Sequence, residues 1–116
     1  MTKPTNSNAL TPAEQQALSR FKTALETLLG DNLISLRLFG SRARGEGTPE
    51  SDLDVLVLVR TKDPALCRRI VEAALDVDLA YDTNLAATIL TITEYDLNRE
   101  CRTPFYRNVE AEGRAL

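Results

Sequence analysis

The chain of 116 residues contains no histidine. Imidazole is the commonest general base near neutral pH, so its absence excludes Ser-His triads and the usual zinc sites, leaving carboxylates, hydroxyls, Arg and Lys to carry any chemistry. Cysteine is nearly as scarce. Cys67 and Cys101 stand far apart, fit no metal-ligand spacing and read as buried or idle thiols. No apolar run approaches the roughly 20 residues that cross a bilayer. The opening MTKPTNSNAL has neither the pattern of a signal peptide nor that of a transit peptide, so a cytoplasmic protein is expected, where disulfides do not persist. A basic excess is missing too: 14 Lys and Arg stand against 17 Asp and Glu, a formal charge of −3. That balance argues against a protein whose main task is gripping long nucleic acid, and leaves room for small anionic ligands where positive charge gathers locally.

What is present reads as one globular domain over residues 11–116 behind a loose, polar segment over 1–10. Thr11-Pro12-Ala13-Glu14 combines a capping box with proline at the first helical position, and Leu18, Phe21, Leu25 and Leu28 recur at helical spacing, so a helix is expected to about Leu29, ended by Gly30. LISLRLF, 33–39, alternates Ile34, Leu36 and Leu38 against Ser35 and Arg37 and predicts a strand ending at Gly40. Glycines, Pro49 and charges make 41–51 a connection, with a short helical turn expected after Ser41. LDVLVLV, 53–59, is apolar on both faces beyond Asp54 and predicts a central strand. Asp63-Pro64 opens a second helix to about residue 80, 85–92 reads as a third strand, and 93–99 and 104–112 as short helices. The expected class is α/β (α+β): a small mixed sheet flanked by helices.

The segment FGSRARGEGTPESDLDVLVLV concentrates the chemistry. Alternate strand residues face the same way, which places Asp52 and Asp54 on one side with Cβ atoms about 7 Å apart. Two metal ions about 3.5 to 4 Å apart fit between such carboxylates and stabilise the attacking and leaving oxygens of phosphoryl or nucleotidyl transfer. Magnesium suits carboxylate and triphosphate oxygens, and two like charges left unpaired at a strand mouth point to a cation between them. Upstream, Gly40-Ser41 supplies a residue without a side chain where backbone approaches a phosphate closely, a hydroxyl, and N–H donors, while Arg42 and Arg44 add local positive charge. Gly-Ser is a common turn and Asp-x-Asp a common surface pair. Their conjunction carries the reading.

Gly40-Ser41, ten intervening residues, then Asp52-x-Asp54 on an apolar strand resembles the signature of the DNA polymerase beta nucleotidyltransferase superfamily, and GSRARGEGTPESDLDVLV resembles its minimal, single-domain branch. The ending TPFYRNVEAEG has the same flavour. The resemblance implies a polymerase beta palm-like nucleotidyltransferase fold, with Mg²⁺ as metal and ATP as co-substrate. It also implies a HEPN-domain toxin as partner, on whose hydroxyl, a tyrosine, AMP is placed. By position, Asp52 and Asp54 hold the metal, Gly40 and Ser41 the nucleotide phosphates, with Arg42 and Ser51 as further nucleotide-binding residues. The superfamily's third carboxylate aligns with Asn84, an amide that offers an oxygen to a metal but accepts no proton as a base. Asp82 shares the parity of Asn84 on a strand that starts early, and Asp76 and Asp78 read as solvated helix charges. An AMP-transferring antitoxin and a catalytically weak antitoxin that neutralises its partner by binding alone both stay open; a drug-modifying nucleotidyltransferase is a third reading, against which this chain lacks the extra domain such enzymes use to hold their substrate. Phe105 and Tyr106 read as core residues of the last helix, with a partner surface as the alternative.

Overall fold

The computed structural model of the chain describes residues 9–48 and 51–116. The segment expected to be loose lies outside the described residues from 1 to 8. Helix α1 (Pro12–Leu29) begins as its sequence dictates: Thr11 accepts from the Glu14 N–H, and the Glu14 side chain accepts from the Thr11 N–H. A 3₁₀ turn at Gly30–Asn32 leads into strand β1 (Leu33–Phe39). Strand β2 (Leu53–Val59), helix α2 (Pro64–Tyr81), strand β3 (Leu85–Thr91), helices α3 (Ile92–Glu100) and α4 (Pro104–Glu112), and a two-residue strand β4 (Arg114–Ala115) complete the chain. Asp63, Thr91 and Thr103 cap α2, α3 and α4 through their side chains.

The sheet order is β3-β2-β1-β4, with β1 antiparallel to β2 and β4, and β3 parallel to β2. Strand β2 is therefore interior, as its apolar run requires, and its residues divide between two cores. Leu53, Val55, Val57 and Val59 pack with Phe21 and Leu25 of α1 and Ile70 and Val77 of α2; Leu56 and Leu58 pack with Tyr95 of α3 and Val109 of α4. The second core is closed by Phe105 edge-on to Phe39, centroids 5.4 Å apart, and Tyr106 tilted against Tyr95 at 5.6 Å. Both aromatics of the last helix thus serve the core.

Two local expectations change. The register of β1 slips between Leu33 and Ser35, and this bulge puts Ile34 in the second core while Leu36 and Leu38 stay in the first. The simple alternation of 34, 36 and 38 is broken by one inserted residue. The short helical turn expected after Ser41 is present, uncontinued: Ala43 and Arg44 N–H both donate to Gly40 O, at 3.1 and 3.3 Å. Asp78 is not a solvated charge: its carboxylate accepts from Thr83 Oγ1 at 2.8 Å and from Leu85 N at 3.0 Å, tying the end of α2 to the start of β3.

This role separates two aspartates two residues apart. Asp78→Ala strands the Leu85 N–H and is expected to cost about 1–3 kcal/mol in urea unfolding, whereas Asp76→Ala, at an exposed position, stays within about 0.5 kcal/mol of the parent. Equal losses in the two variants would contradict the capping role.

Candidate functional site

The site forms where β1 ends and β2 begins. Gly40 follows the last residue of β1 at φ +82°, a left-handed conformation that disfavours any side chain. A Cβ built on it would also collide with the Asp54 carboxylate, so two separate constraints demand glycine here. Gly47 is restricted for a different reason: a Cβ there would lie 2.6 Å from Arg42 Cδ and 2.8 Å from Ser41 Oγ. The segment from 40 to 48 folds back on itself, since Ser41 O accepts from Glu46 N at 2.9 Å, and Ser51 donates its N–H to Thr48 O at 2.8 Å while its Oγ accepts from Thr48 N at 3.1 Å. This return brings Asp52 and Asp54 alongside the Gly40-Ser41 corner.

Asp54 sits opposite Phe39 on β1 and Ala86 on β3. It is half-buried, and that burial, with the charge of Asp52 second, holds its carboxyl above the ordinary value of 3.8. Asp52 is exposed at the strand mouth. The donor set fits a hard divalent cation: two oxygen ligands of like charge, one of them desolvated. Among the described residues no group of three His, Cys, Asp or Glu side chains gathers at a metal-binding distance.

Asn84 comes to the same place. Leu53 N donates to Asn84 O at 2.8 Å, extending the parallel ladder one step below the Leu53↔Leu85 pair, so Asn84 stands level with Asp52 and Ala86 level with Asp54. Asp82 does not join them. Helix α2 runs on to Tyr81, and Asp82 adopts a left-handed conformation as its C-cap, exposed and off the strand. The parity that linked 82 to 84 needs an extended chain that is not there.

Arg42 has a place that its sequence position did not reveal. Its side chain is 0% exposed and turned away from the corner, with Nη2 2.6 Å from Glu14 Oε1, Nη1 2.7 Å from Glu14 Oε2, and Nη1 also donating to Thr48 O at 2.8 Å. It fastens the loop to the start of α1 instead of projecting toward a phosphate. Burial pushes the Glu14 carboxyl up, but the Arg42 and Thr11 hydrogen bonds and the Arg42 charge outweigh it and hold the group below 4.5. Arg44 does face solvent, clamped by Glu112 at 2.8 Å and Glu46 at 3.0 Å. Sequence reasoning passed over Glu14 as a loop anchor and Glu112 altogether; the capping box hinted at the first, and no local pattern marks the second.

Compared with known proteins, residues 18–114 match the nucleotidyltransferase domain family. The chain belongs to that family. It is 31% identical over 113 residues to "Putative protein adenylyltransferase MJ0604" of Methanocaldococcus jannaschii, covering 89% of this chain and 97% of the relative. Among solved structures, a mutant of the toxin-antitoxin MntA-HpeT superposes with a TM-score of 0.59 at 21% identity over 84% of this chain and 69% of that one. A toxin-antitoxin crystallised with AMP-PNP gives 0.53 at 25% identity over 81% and 70%. The mixed four-stranded sheet with four helices is the fold of minimal nucleotidyltransferases, and the family assignment makes the chain a nucleotidyltransferase. No helix among the described residues is long and apolar enough to cross a membrane.

Two stability experiments follow from this geometry. Arg42→Ala leaves Glu14 buried without its cation and is expected to cost about 3–5 kcal/mol. Because the folded-state value of Glu14 is depressed, the contribution of the pair is present above pH 4.5 and fades as pH falls through the folded value. Urea unfolding across that window should show the parent losing stability on acidification more steeply than Arg42→Ala; parallel curves would contradict the assignment.

Asp54 has the opposite sign. Its raised value means that the folded state holds the proton more tightly, so stability falls as pH rises from 3.8 through the folded value, and the ionised form is a cost at neutral pH. Asp54→Asn is therefore expected to raise the melting temperature of the metal-free protein near pH 7 and to lose that advantage under acid conditions where both forms are uncharged. A lowered melting temperature near pH 7 would contradict the view that the buried Asp54 charge is a cost, first through its lost hydration and second through Asp52.

Proposed function

We propose that this nucleotidyltransferase uses Mg²⁺ and ATP to transfer AMP to a hydroxyl, a tyrosine, on a HEPN-domain toxin, and so acts as its antitoxin. The observation that carries the reading is the pair Asp52 and Asp54, one desolvated, held against a glycine corner that tolerates no side chain. In it, Asp52 and Asp54 hold the metal, and Gly40 and Ser41 receive the triphosphate. Ser51 shapes the loop through Thr48, and Arg42 acts from inside, by fixing that loop on α1. Mg²⁺, when bound, neutralises charge on the triphosphate and on the oxygens of the transfer. The Ser41 and Arg42 N–H groups, which have no acceptor among the described residues, are the backbone donors left for phosphate oxygens. The name of the adenylyltransferase relative, and the toxin-antitoxin described with AMP-PNP, support the nucleotide and the partner. A protein partner is also consistent with Val71, Leu75 and Leu79, which line the outer face of α2 and are 46%, 55% and 86% exposed.

A second reading has its own observation. Beside the two aspartates lie Asn84, just ahead of β3, and Ala86 on it, neither of which accepts a proton. An antitoxin that binds nucleotide but neutralises its partner by covering it fits that lack of a base equally well.

Incubating the purified protein with labelled ATP, Mg²⁺ and the toxin encoded beside it separates the two. The first reading expects label on a toxin tyrosine, lost in Asp52→Asn and Asp54→Asn. Placing a carboxylate level with Asp54, as Ala86→Asp, should raise single-turnover transfer by about 10²- to 10⁴-fold, the usual worth of general-base assistance, and Asn84→Asp by less. Toxin inhibited with no label in any variant would establish the binding-only reading.

A further inference from the structure

From the geometry we infer that Glu112, at the last position of α4, is a positioning residue for the triphosphate corner, a role that rests on the nucleotide-binding reading above. Its carboxylate reaches the corner at two points. Oε1 accepts the Gly40 N–H at 3.1 Å and Arg44 Nη1 at 2.9 Å, and Oε2 accepts Arg44 Nη1 at 2.8 Å. One side chain from the far end of the sequence thus spans both ends of the turn from 40 to 44.

The consequence follows from the two peptide planes that flank Gly40. A glycine at positive φ has no side chain to lock it, so its orientation depends on its hydrogen bonds. The plane after it is fixed because Gly40 O accepts from Ala43 N and Arg44 N. The plane before it is fixed by Glu112, through the Gly40 N–H. With both planes held, the Ser41 N–H, which points opposite to Gly40 O across the same peptide, has one direction. Glu112 therefore sets the aim of a phosphate donor without touching the phosphate.

The mount of the carboxylate is rigid. Its side chain is 15% exposed. Gly113 N donates to Val109 O at 2.7 Å, and Arg114 and Ala115 pair with Leu38 and Arg37 of β1, so the residues after Glu112 are stitched to the strand that delivers Gly40. Gly113 admits no side chain, because a Cβ there would meet Val109 O. Pairing with Glu112 also neutralises part of Arg44, so a triphosphate arriving at the corner meets a fixed scaffold more than a free cation.

Titration calorimetry of the full chain with Mg²⁺-ATP tests the role through a double-mutant cycle. Glu112→Ala should weaken binding by roughly 10- to 100-fold, the worth of a charge-assisted hydrogen bond from the misaimed N–H to the ligand, and Arg44→Ala, which frees one arm of the same clamp, by a smaller factor. The double variant should lose little beyond the larger single loss, because both substitutions loosen one clamp. Glu112→Gln keeps an acceptor for the Gly40 N–H and should stay within about threefold of the parent, a rescue that a purely electrostatic role would not give. Losses that simply multiply, unchanged affinity in Glu112→Ala, or tighter binding there would each overturn the inference. Should Glu112→Ala fail to fold by circular dichroism, Arg44→Ala, which frees one arm of the clamp, carries the test, and parental affinity in that variant overturns it. A parent that binds no nucleoside triphosphate refutes the nucleotide reading itself, a result visible before any variant is made.

Discussion

The ion pair between Glu14 and Arg42 is the constraint on which the site depends. Two charges withdrawn from water are costly unless their geometry is good; here the pair is bidentate and one guanidinium nitrogen is also bonded to Thr48 O, although Arg42 Nε is buried without an acceptor among the described residues. Because Glu14 is at the same time the return half of the α1 capping box, a single carboxylate serves the first turn of a helix and the middle of a loop nearly thirty residues away in sequence. Helix entry and loop shape are therefore not separate features, and disturbing either disturbs the other.

The loop in turn is held from two directions. Arg42 draws it toward α1 beneath the larger core, while Arg44 and the Gly40 N–H are taken by α4 on the side of the smaller one. Strand β2 contributes the carboxylates from between these anchors, with Asp54 closely packed against Gly40. The sheet therefore does little chemistry itself; it fixes the distance between two short motifs, and the arginines convert that distance into a defined corner.

Much of this was legible in the chain. Proline-led starts at Pro12, Pro64 and Pro104 mark their helices because capping and the missing proline N–H are local effects, and the two-faced apolar run of β2 marks a central strand. What escaped was non-local. The β1 bulge is invisible because Ile34, Leu36 and Leu38 satisfy a period of two whether or not a residue is inserted. Strand β4 is too short to carry any pattern and exists because β1 offers it an edge. Charge alone told nothing of direction: Arg42 and Arg44 look equivalent in sequence, yet one points inward to Glu14 and the other outward to Glu112. Asp78 shows the same limit, since a carboxylate that caps a strand seven residues onward looks like any other helix charge.

The division of the interior into two cores carries a consequence for how the molecule breathes. Among the described residues, the cluster on the side of α3 and α4 has four buried residues, Leu56, Leu58, Tyr95 and Val109, against fifteen on the other side. Elements resting on less buried apolar surface detach at lower free energy than the global unfolding transition. Detachment of α4 would carry Glu112 away from Gly40 while leaving Arg42 and Glu14 in place. Amide exchange at Gly40 would then proceed through this smaller opening, whereas the amides of Val55 and Val57 would await loss of the whole fold, so the glycine corner and the strand behind it would keep different clocks.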